Sequence, residues 1–115
     1  MDASPTTIPP MDLTTMEAKA GEAAALLANL ANAKRLMVLC HLASGEKSVT
    51  ALMRLVGLSQ SALSQHLARL RADGLVATRR EAQVIHYRIA HPLVLTLMRS
   101  LYEAYCAPQN EGATP

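Results

Sequence analysis

Aromatic residues are scarce in this chain. It has no Phe and no Trp, and only three Tyr among 115 residues. Half of the residues are hydrophobic all the same, so the core must be built from aliphatic side chains and alanine. Leucine and alanine are strong helix formers. The composition therefore predicts a single, mainly helical domain.

Long hydrophobic runs are absent as well. No run approaches the roughly 20 apolar residues that span a bilayer, and residues 1–15 lack the basic and apolar regions of a signal peptide. We therefore expect a cytoplasmic protein without a membrane partner. The chain has two cysteines, Cys40 and Cys106. Since structural disulfides are rare in a reducing compartment, these are candidate free thiols, metal ligands or a redox pair.

Motifs for catalysis are missing from the sequence. It holds no Cys-x-x-Cys pair, no glycine-rich phosphate loop and no evident acid–base pair. We expect a protein that is not an enzyme and that needs no cofactor. A small thiol enzyme or a thiol-containing protein-interaction module stays open as an alternative, and a lack of salt-dependent DNA binding would favour it.

Positive charge is concentrated in the middle of the chain. The net charge is only +2. Between Lys34 and Arg88, however, nine basic residues face three acidic ones, which gives +6, while the flanks carry −4. A basic centre between acidic ends is typical of a segment that binds a polyanion. A solvated surface is the plainer interpretation of the same pattern.

Hydrophobic spacing and capping residues predict the order of the elements. Apolar residues recur at spacings of three and four in five segments, and two shorter segments alternate as half-buried strands do. Asn32, Ser48 and Ser59 are expected to cap helices, and Gly45, Gly57 and Gly74 to end them. The predicted helices are 16–31, 33–43, 49–56, 60–72 and 92–106, and the predicted strands are 75–80 and 84–89, with a turn at 81–83.

The predicted fold class is mainly α with a small β-hairpin, in the order α-α-α-α-β-β-α. Two helices joined by a turn with glycine, followed by a basic hairpin, are typical of a winged helix-turn-helix. We place this domain at residues 16–106. Residues 1–15 are expected to form a disordered arm and residues 107–115 a flexible tail.

The helix predicted at 60–72 has the side chains of a DNA-reading helix. Short polar residues at its start can reach base edges, and glutamine can contact adenine through two hydrogen bonds. Further along the helix and in the hairpin, donors are available for phosphates and an adjacent minor groove. A surface helix facing water is the alternative, but serine is a mediocre helix former. The candidate DNA contacts are Ser59, Gln60, Ser61, Ser64, Gln65, His66, Arg69, Arg79, Arg80 and Gln83.

The same residues resemble the ArsR family of winged-helix repressors. The segment 58–67, followed by Leu70-Arg71 and Gly74-Leu75-Val76, is similar to the recognition helix of that family. Residues 32–36 resemble the usual opening of its second helix, and 79–88 resemble its wing, although Ala82 stands where glycine is commoner. The resemblance covers about residues 16–106. It implies a homodimer, built from the first and last helices, that binds a palindromic operator.

The sequence departs from the family at two of its metal-binding sites, which bears on the signal that such a repressor would sense. Ser48-Val49-Thr50 stands where one metal site of the family has Cys-x-Cys, and the last helix lacks the His-x-x-His of another. Cys40 lies on a second helix expected to be buried, and Cys106 lies at the end of the last helix. One thiol on each of these helices resembles the arrangement in the persulfide-responsive branch of the family. That resemblance implies that reactive sulfur species join the two thiols through a disulfide or a longer sulfur bridge, which releases DNA and derepresses genes for sulfide detoxification.

Two other roles for the cysteines stay open at this point. A metal-sensing repressor could use Cys40, Cys106 and a histidine, and a metal titration of reduced protein would reveal it. Alternatively, Cys40 is a small buried hydrophobe and Cys106 an incidental thiol.

Overall fold

A computed structural model describes residues 8–106 of the chain. Five helices and a three-stranded antiparallel sheet make up this part, and the strand order in the sheet is β1-β3-β2. The predicted winged helix-turn-helix is confirmed. In chain order the elements are α1 (Leu13–Leu30), α2 (Ala33–Leu42), β1 (Lys47–Ser48), α3 (Val49–Val56), α4 (Gln60–Ala72), β2 (Val76–Glu81), β3 (Val84–Ile89) and α5 (Pro92–Tyr105).

Local capping chemistry fixes the helix boundaries where the sequence predicts them. The side chains of Asn32, Ser48 and Ser59 accept hydrogen bonds from backbone N–H groups three residues later, at 3.0 to 3.2 Å. Each satisfies a donor that the first helical turn leaves free. Gly57 ends α3 at a φ of 74°, in the left-handed region that favours glycine.

The first helix begins at Leu13, three residues before the predicted start. Asp12 causes the difference, because its carboxylate accepts a hydrogen bond from the Thr15 backbone N–H at 3.1 Å and so caps the helix. Residues 13–15, which we expected in a disordered arm, are therefore helical. The rest of the predicted arm at residues 1–7 and the predicted tail at 107–115 lie outside the described residues.

The sheet has one strand more than predicted and a tighter turn. The strand β1 is only two residues long, and pairs Lys47 with Tyr87 and Ser48 with His86. Two residues are too few for a period to show in the sequence. Glu81 belongs to β2 rather than to the turn, which leaves a two-residue turn at Ala82 and Gln83.

The core is aliphatic, as the composition requires. It lies between α2, α3, α4, α5 and the sheet, and its fully buried side chains include Leu39, Leu52, Leu63 and Leu70. By contrast, α1 and α5 carry apolar residues that this single chain leaves exposed: Leu13, Met16, Leu27, Leu93, Leu95, Tyr102 and Tyr105.

None of the five helices described is by itself long and apolar enough to cross a membrane. Only α1 and α2 taken together have the length and apolar composition of a membrane span, and they are bent by 90° at the break between them.

Candidate nucleic-acid interface and thiol pair

The helix α4 presents one polar face to the outside. Its apolar side is anchored in the core by three leucines, and the capped N-terminus lies at the surface. Free N–H groups at such an end can receive a phosphate. The exposed residues on and just before this helix include all but one of its predicted DNA contacts: Ser59, Gln60, Ser61, Ser64, Gln65 and Arg69.

His66 is the predicted contact of α4 that turns elsewhere. It is half-buried, and its Nδ1 lies 3.4 Å from Nη1 of Arg35, a residue of α2. Burial, and then the charge of Arg35, lower the pKa of His66 below its usual value. The ring thus contacts Arg35 within the protein, and its lowered pKa disfavours the charged form that would attract a DNA phosphate.

The two adjacent arginines of β2 lie on opposite faces of the wing, which we define as β2, β3 and their turn. Successive side chains of a strand alternate between faces. Arg79 is paired across the sheet with His86, and its guanidinium makes a bidentate contact with Glu46, with Nη2 donating to Oε1 at 2.7 Å and Nε to Oε2 at 3.2 Å. This contact holds the pKa of Glu46 below its usual value. A positive charge in this arrangement is largely neutralised within the protein.

Arg80 points to the other face of the wing, which is also the side of Tyr87. Tyr87 lines a cleft of about 450 Å³ together with Ser64, Ala68 and Arg71 of α4. The face of the wing that carries Arg80 thus continues from the polar side of α4, and no ion pair of Arg80 is found among residues 8–106. Gln83 is exposed in the turn at the tip of the wing.

Both cysteines lie at the surface, Cys40 on α2 and Cys106 at the end of α5. Cys40 is exposed, although the second helix was expected to be buried, because its side of α2 faces outward while Val38 and Leu39 fill the core. This exposure contradicts the alternative in which Cys40 is a small buried hydrophobe. Its Sγ donates to Sδ of Met98, on α5, at 3.8 Å. Partial burial raises the pKa of Cys40, and so does the nearby negative charge that Cys106 carries when ionised.

Cys106 caps α5, and its own backbone N–H donates to the Tyr102 carbonyl oxygen at 2.7 Å. Its side chain is exposed as well. Cys40 therefore contacts the helix at whose end Cys106 lies. In the part of the chain from residue 8 to 106, no three His, Cys, Asp or Glu side chains are grouped so that they could hold a metal ion.

Three residues that no sequence motif singles out bear on these sites. Glu46 binds Arg79 from a loop 33 residues away, while Asn29 and Asp73 meet across 44 residues. Each pair depends on tertiary contacts, and no local pattern in the sequence signals either of them.

A helix-turn-helix formed by α3 and α4, flanked by a β-hairpin wing, defines a DNA-binding protein of the winged-helix class. The family model "Bacterial regulatory protein, arsR family" matches residues 32–78. The chain is 47% identical over 97 residues to the transcriptional activator HlyU of Vibrio cholerae, covering 84% of this chain and 90% of that protein. It is 45% identical over 106 residues to the biofilm growth-associated repressor of Agrobacterium fabrum, covering 92% and 91%.

Solved structures agree with these relatives. The crystal structure of the transcriptional repressor BigR from Xylella fastidiosa matches with a TM-score of 0.77 and 41% identity, covering 84% of this chain and 99% of that one. The solution structure of the homodimeric winged helix-turn-helix domain of Mb0332 from Mycobacterium bovis matches with a TM-score of 0.69 and 32% identity, covering 85% and 89%. The chain belongs to the ArsR family and is a DNA-binding transcriptional regulator, not an enzyme.

Proposed function

We propose that this regulator is a homodimeric repressor that the thiols of Cys40 and Cys106 switch off. The observation that carries the proposal is the placement of the two cysteines, the only two in the chain: both are exposed, Cys40 contacts α5 through Met98, and Cys106 lies at the end of that same helix. As a DNA-binding regulator it would act in the cytoplasm. The Vibrio cholerae relative is an activator and the Agrobacterium fabrum relative a repressor, and we assign repression because BigR, whose structure shares this fold, is a repressor too.

Operator reading is assigned to α4 and the wing. Ser61, Ser64 and Gln65 are exposed on α4, and they have the donors and acceptors that read base edges in a major groove. Ser59, Gln60 and Arg69 surround them and are assigned to base edges or phosphates, and Arg80 and Gln83 extend the contact from the wing. Arg79 and His66, held by Glu46 and Arg35, contribute less than their neighbours.

Dimerisation is assigned to α1 and α5. Two of their exposed apolar residues, Leu27 and Tyr102, are each more than half exposed in the single chain. Exposed apolar surface that is not scattered singly marks an interaction site, and the Mb0332 domain, which shares the fold, is homodimeric. Two copies would place two α4 helices on half-sites about 34–36 Å apart.

The effector that we assign is a persulfide or polysulfide, which oxidises the two thiols. Cys106 as thiolate attacks the outer sulfur of a persulfide RSSH, which releases RSH and leaves a persulfide on Cys106. Cys40 then attacks Sγ of Cys106 and expels hydrosulfide. The sum is two protein thiols plus RSSH giving one disulfide, RSH and H₂S, so that two electrons pass from the thiols to the sulfane sulfur. Retention of further sulfur atoms would give a longer bridge and relax the limit of about 7 Å between Cα atoms.

The order of attack follows from the surroundings of the thiols. Burial raises the pKa of Cys40, and its thiol donates to Met98, so both surroundings disfavour its thiolate. Cys106 is therefore assigned as the first nucleophile and Cys40 as the resolving thiol. Closing the link pulls Cys40 away from Met98 and strains the packing of α2 on α5, which alters the spacing of the two α4 helices in a dimer.

Mass spectrometry of protein treated with polysulfide tests the switch. We expect an intramolecular link between Cys40 and Cys106, with its mass giving the number of sulfur atoms, together with loss of operator affinity. The Cys106→Ser variant should bind the operator normally and stay bound after the same treatment. Normal release of DNA by that variant would refute the two-thiol switch.

Alanine variants of the α4 face test the reading assignment in reduced protein. Gln65→Ala and Ser61→Ala should weaken operator binding by about tenfold, which is the size of one lost base contact, without changing the urea unfolding midpoint. Ser44→Ala, an exposed serine in the turn after α2, serves as the control. Unchanged operator affinity in both α4 variants would refute the assignment.

A further inference from the structure

Asn29 is the one polar residue buried in the part of the chain that the structure describes. It lies near the end of α1 with no exposed surface. Its Nδ2 donates to Oδ2 of Asp73 at 2.8 Å and to the Ala25 carbonyl oxygen at 3.3 Å, while its Oδ1 has no partner. A buried acceptor without a donor costs free energy. Stability alone therefore does not account for an asparagine in this aliphatic core.

Asp73 is the C-cap of α4, so this hydrogen bond joins α1 to the end of the operator-reading helix. A carboxylate at the C-terminal end of a helix is unfavourable because the helix dipole is negative there. Neither Asn29 nor Asp73 is thus the residue type that would be most stabilising at its own position. What the two residues provide together is a fixed connection between α1 and α4.

A second connection reaches α4 about two turns earlier. Nε of Arg35 donates to the backbone carbonyl oxygen of Asn29 at 3.3 Å, and Nη1 of the same guanidinium lies 3.4 Å from Nδ1 of His66. His66 and Asp73 are separated by seven residues, or about 10 Å along a helix. The three core leucines hold α4 against the body of the protein, and two polar contacts this far apart add to the fixing of its axis direction.

We propose that Asn29 is a positioning residue that, through Asp73 and through Arg35 and His66, holds α4 at the angle at which its polar face fits the operator. The proposal rests on the assignment of operator reading to α4. The exposed apolar face of α1 is assigned to the dimer interface. The same contacts would therefore couple the relative position of the two subunits to the orientation of their α4 helices.

A matched pair of variants at Asp73 separates the hydrogen bond from the charge. Asp73→Asn and Asp73→Ala both remove one negative charge, but only an asparagine oxygen can still accept from Asn29 Nδ2. The readout is the ratio of affinities of reduced protein for two duplexes of equal length at fixed salt. One carries the operator that the wild-type protein selects from random sequence, and the other has a scrambled sequence. We expect Asp73→Ala to lower this ratio about tenfold and Asp73→Asn to stay within twofold of wild type.

Asn29→Leu tests the same connection from α1. It removes the hydrogen bond and the unpartnered acceptor while filling a similar volume, so we expect the ratio to fall about tenfold with no loss in the urea unfolding midpoint. Arg35→Lys, which keeps the charge but not the two-pronged contact, should lower the ratio in the same direction. An unchanged ratio in both Asn29→Leu and Asp73→Ala would overturn the proposal, as would an equal loss in Asp73→Asn and Asp73→Ala.

Gln65→Ala, measured in parallel, distinguishes this failure from failure of the proposed reading helix. If Gln65→Ala lowers the ratio and Asp73→Ala does not, only the positioning role of Asn29 is wrong. If neither lowers it, the assignment of α4 falls, and the positioning role falls with it.

Discussion

Ala82 adopts a backbone conformation that an L-residue disfavours. It is the first residue of the turn between β2 and β3, with a φ of 56°, and it is the only residue other than glycine at positive φ in the described part. Glycine takes this conformation without the clash that a Cβ atom introduces. The family resemblance already marked Ala82 as a departure, and the structure supplies the physical reason.

Replacing Ala82 should therefore stabilise the protein. We expect Ala82→Gly to raise the free energy of unfolding by about 1 kcal/mol, since relief of the left-handed strain exceeds the entropy that glycine loses on folding. Urea unfolding followed by circular dichroism measures the change. Ala77→Gly, within β2, is the control and should lower stability by roughly 0.5–1 kcal/mol. Destabilisation by Ala82→Gly would contradict the strained turn.

The reactivity of Cys40 should depend on pH in a direction that its raised pKa fixes. Folding favours its neutral thiol, so the associated stability is fully present below the pKa of the unfolded chain and is lost as pH rises through the folded value. In Cys106→Ser protein, where partial burial still acts, we expect the rate of alkylation by iodoacetamide to rise with a midpoint above that of the urea-unfolded chain. A midpoint at or below the unfolded one would show that the surroundings of Cys40 do not suppress its thiolate.

At the scale of elements, the wing places Arg79 and Arg80 in different surroundings. Glu46 and Glu81 lie within 4 Å of Arg79, whereas Arg80 faces the side of the wing that continues from α4. An arginine held by carboxylates within the protein has less charge to offer a phosphate, and an exposed pair of this kind adds little to stability.

Salt dependence of DNA binding separates the two arginines. Each phosphate contact contributes about 0.9 to the slope of log affinity against log salt concentration. We expect Arg80→Ala to reduce the slope by about that amount and Arg79→Ala to reduce it by less than half as much. Titrations of an operator duplex between roughly 50 and 200 mM salt measure both slopes. A larger effect of Arg79→Ala would reverse the assignment of the two faces.

The elements themselves were predictable because their signals are local. The range of α4 and the caps of α2, α3 and α4 follow from residues within three or four positions of one another. The strand β1 was missed because its two residues are extended only through pairing with β3. The contact between Glu46 and Arg79, the inward turn of His66 and the exposure of Cys40 depend equally on distant segments, so no local pattern could reveal them.

At the scale of the whole molecule, the single chain leaves its two terminal helices incompletely covered. Leu27 of α1 is 53% exposed and Tyr102 of α5 is 56% exposed, although each lies on a helix with an apolar stripe. Burial of a leucine side chain is worth roughly 1.5–3 kcal/mol. A second copy that covers both helices would therefore supply the free energy of burying these side chains, which the single chain leaves exposed.

A charge placed on that surface should separate the subunits and thereby weaken DNA binding. In Leu27→Glu, each copy would bury a carboxylate against its partner, so we expect sedimentation equilibrium to show a monomer at concentrations where the wild type is a dimer. Leu55→Glu, on α3 with a similar exposure of 48%, is the control and should stay dimeric. Because two α4 helices on neighbouring half-sites bind far more tightly than one, the Leu27→Glu monomer should also lose most of its operator affinity. A dimeric Leu27→Glu protein would exclude α1 from the subunit interface.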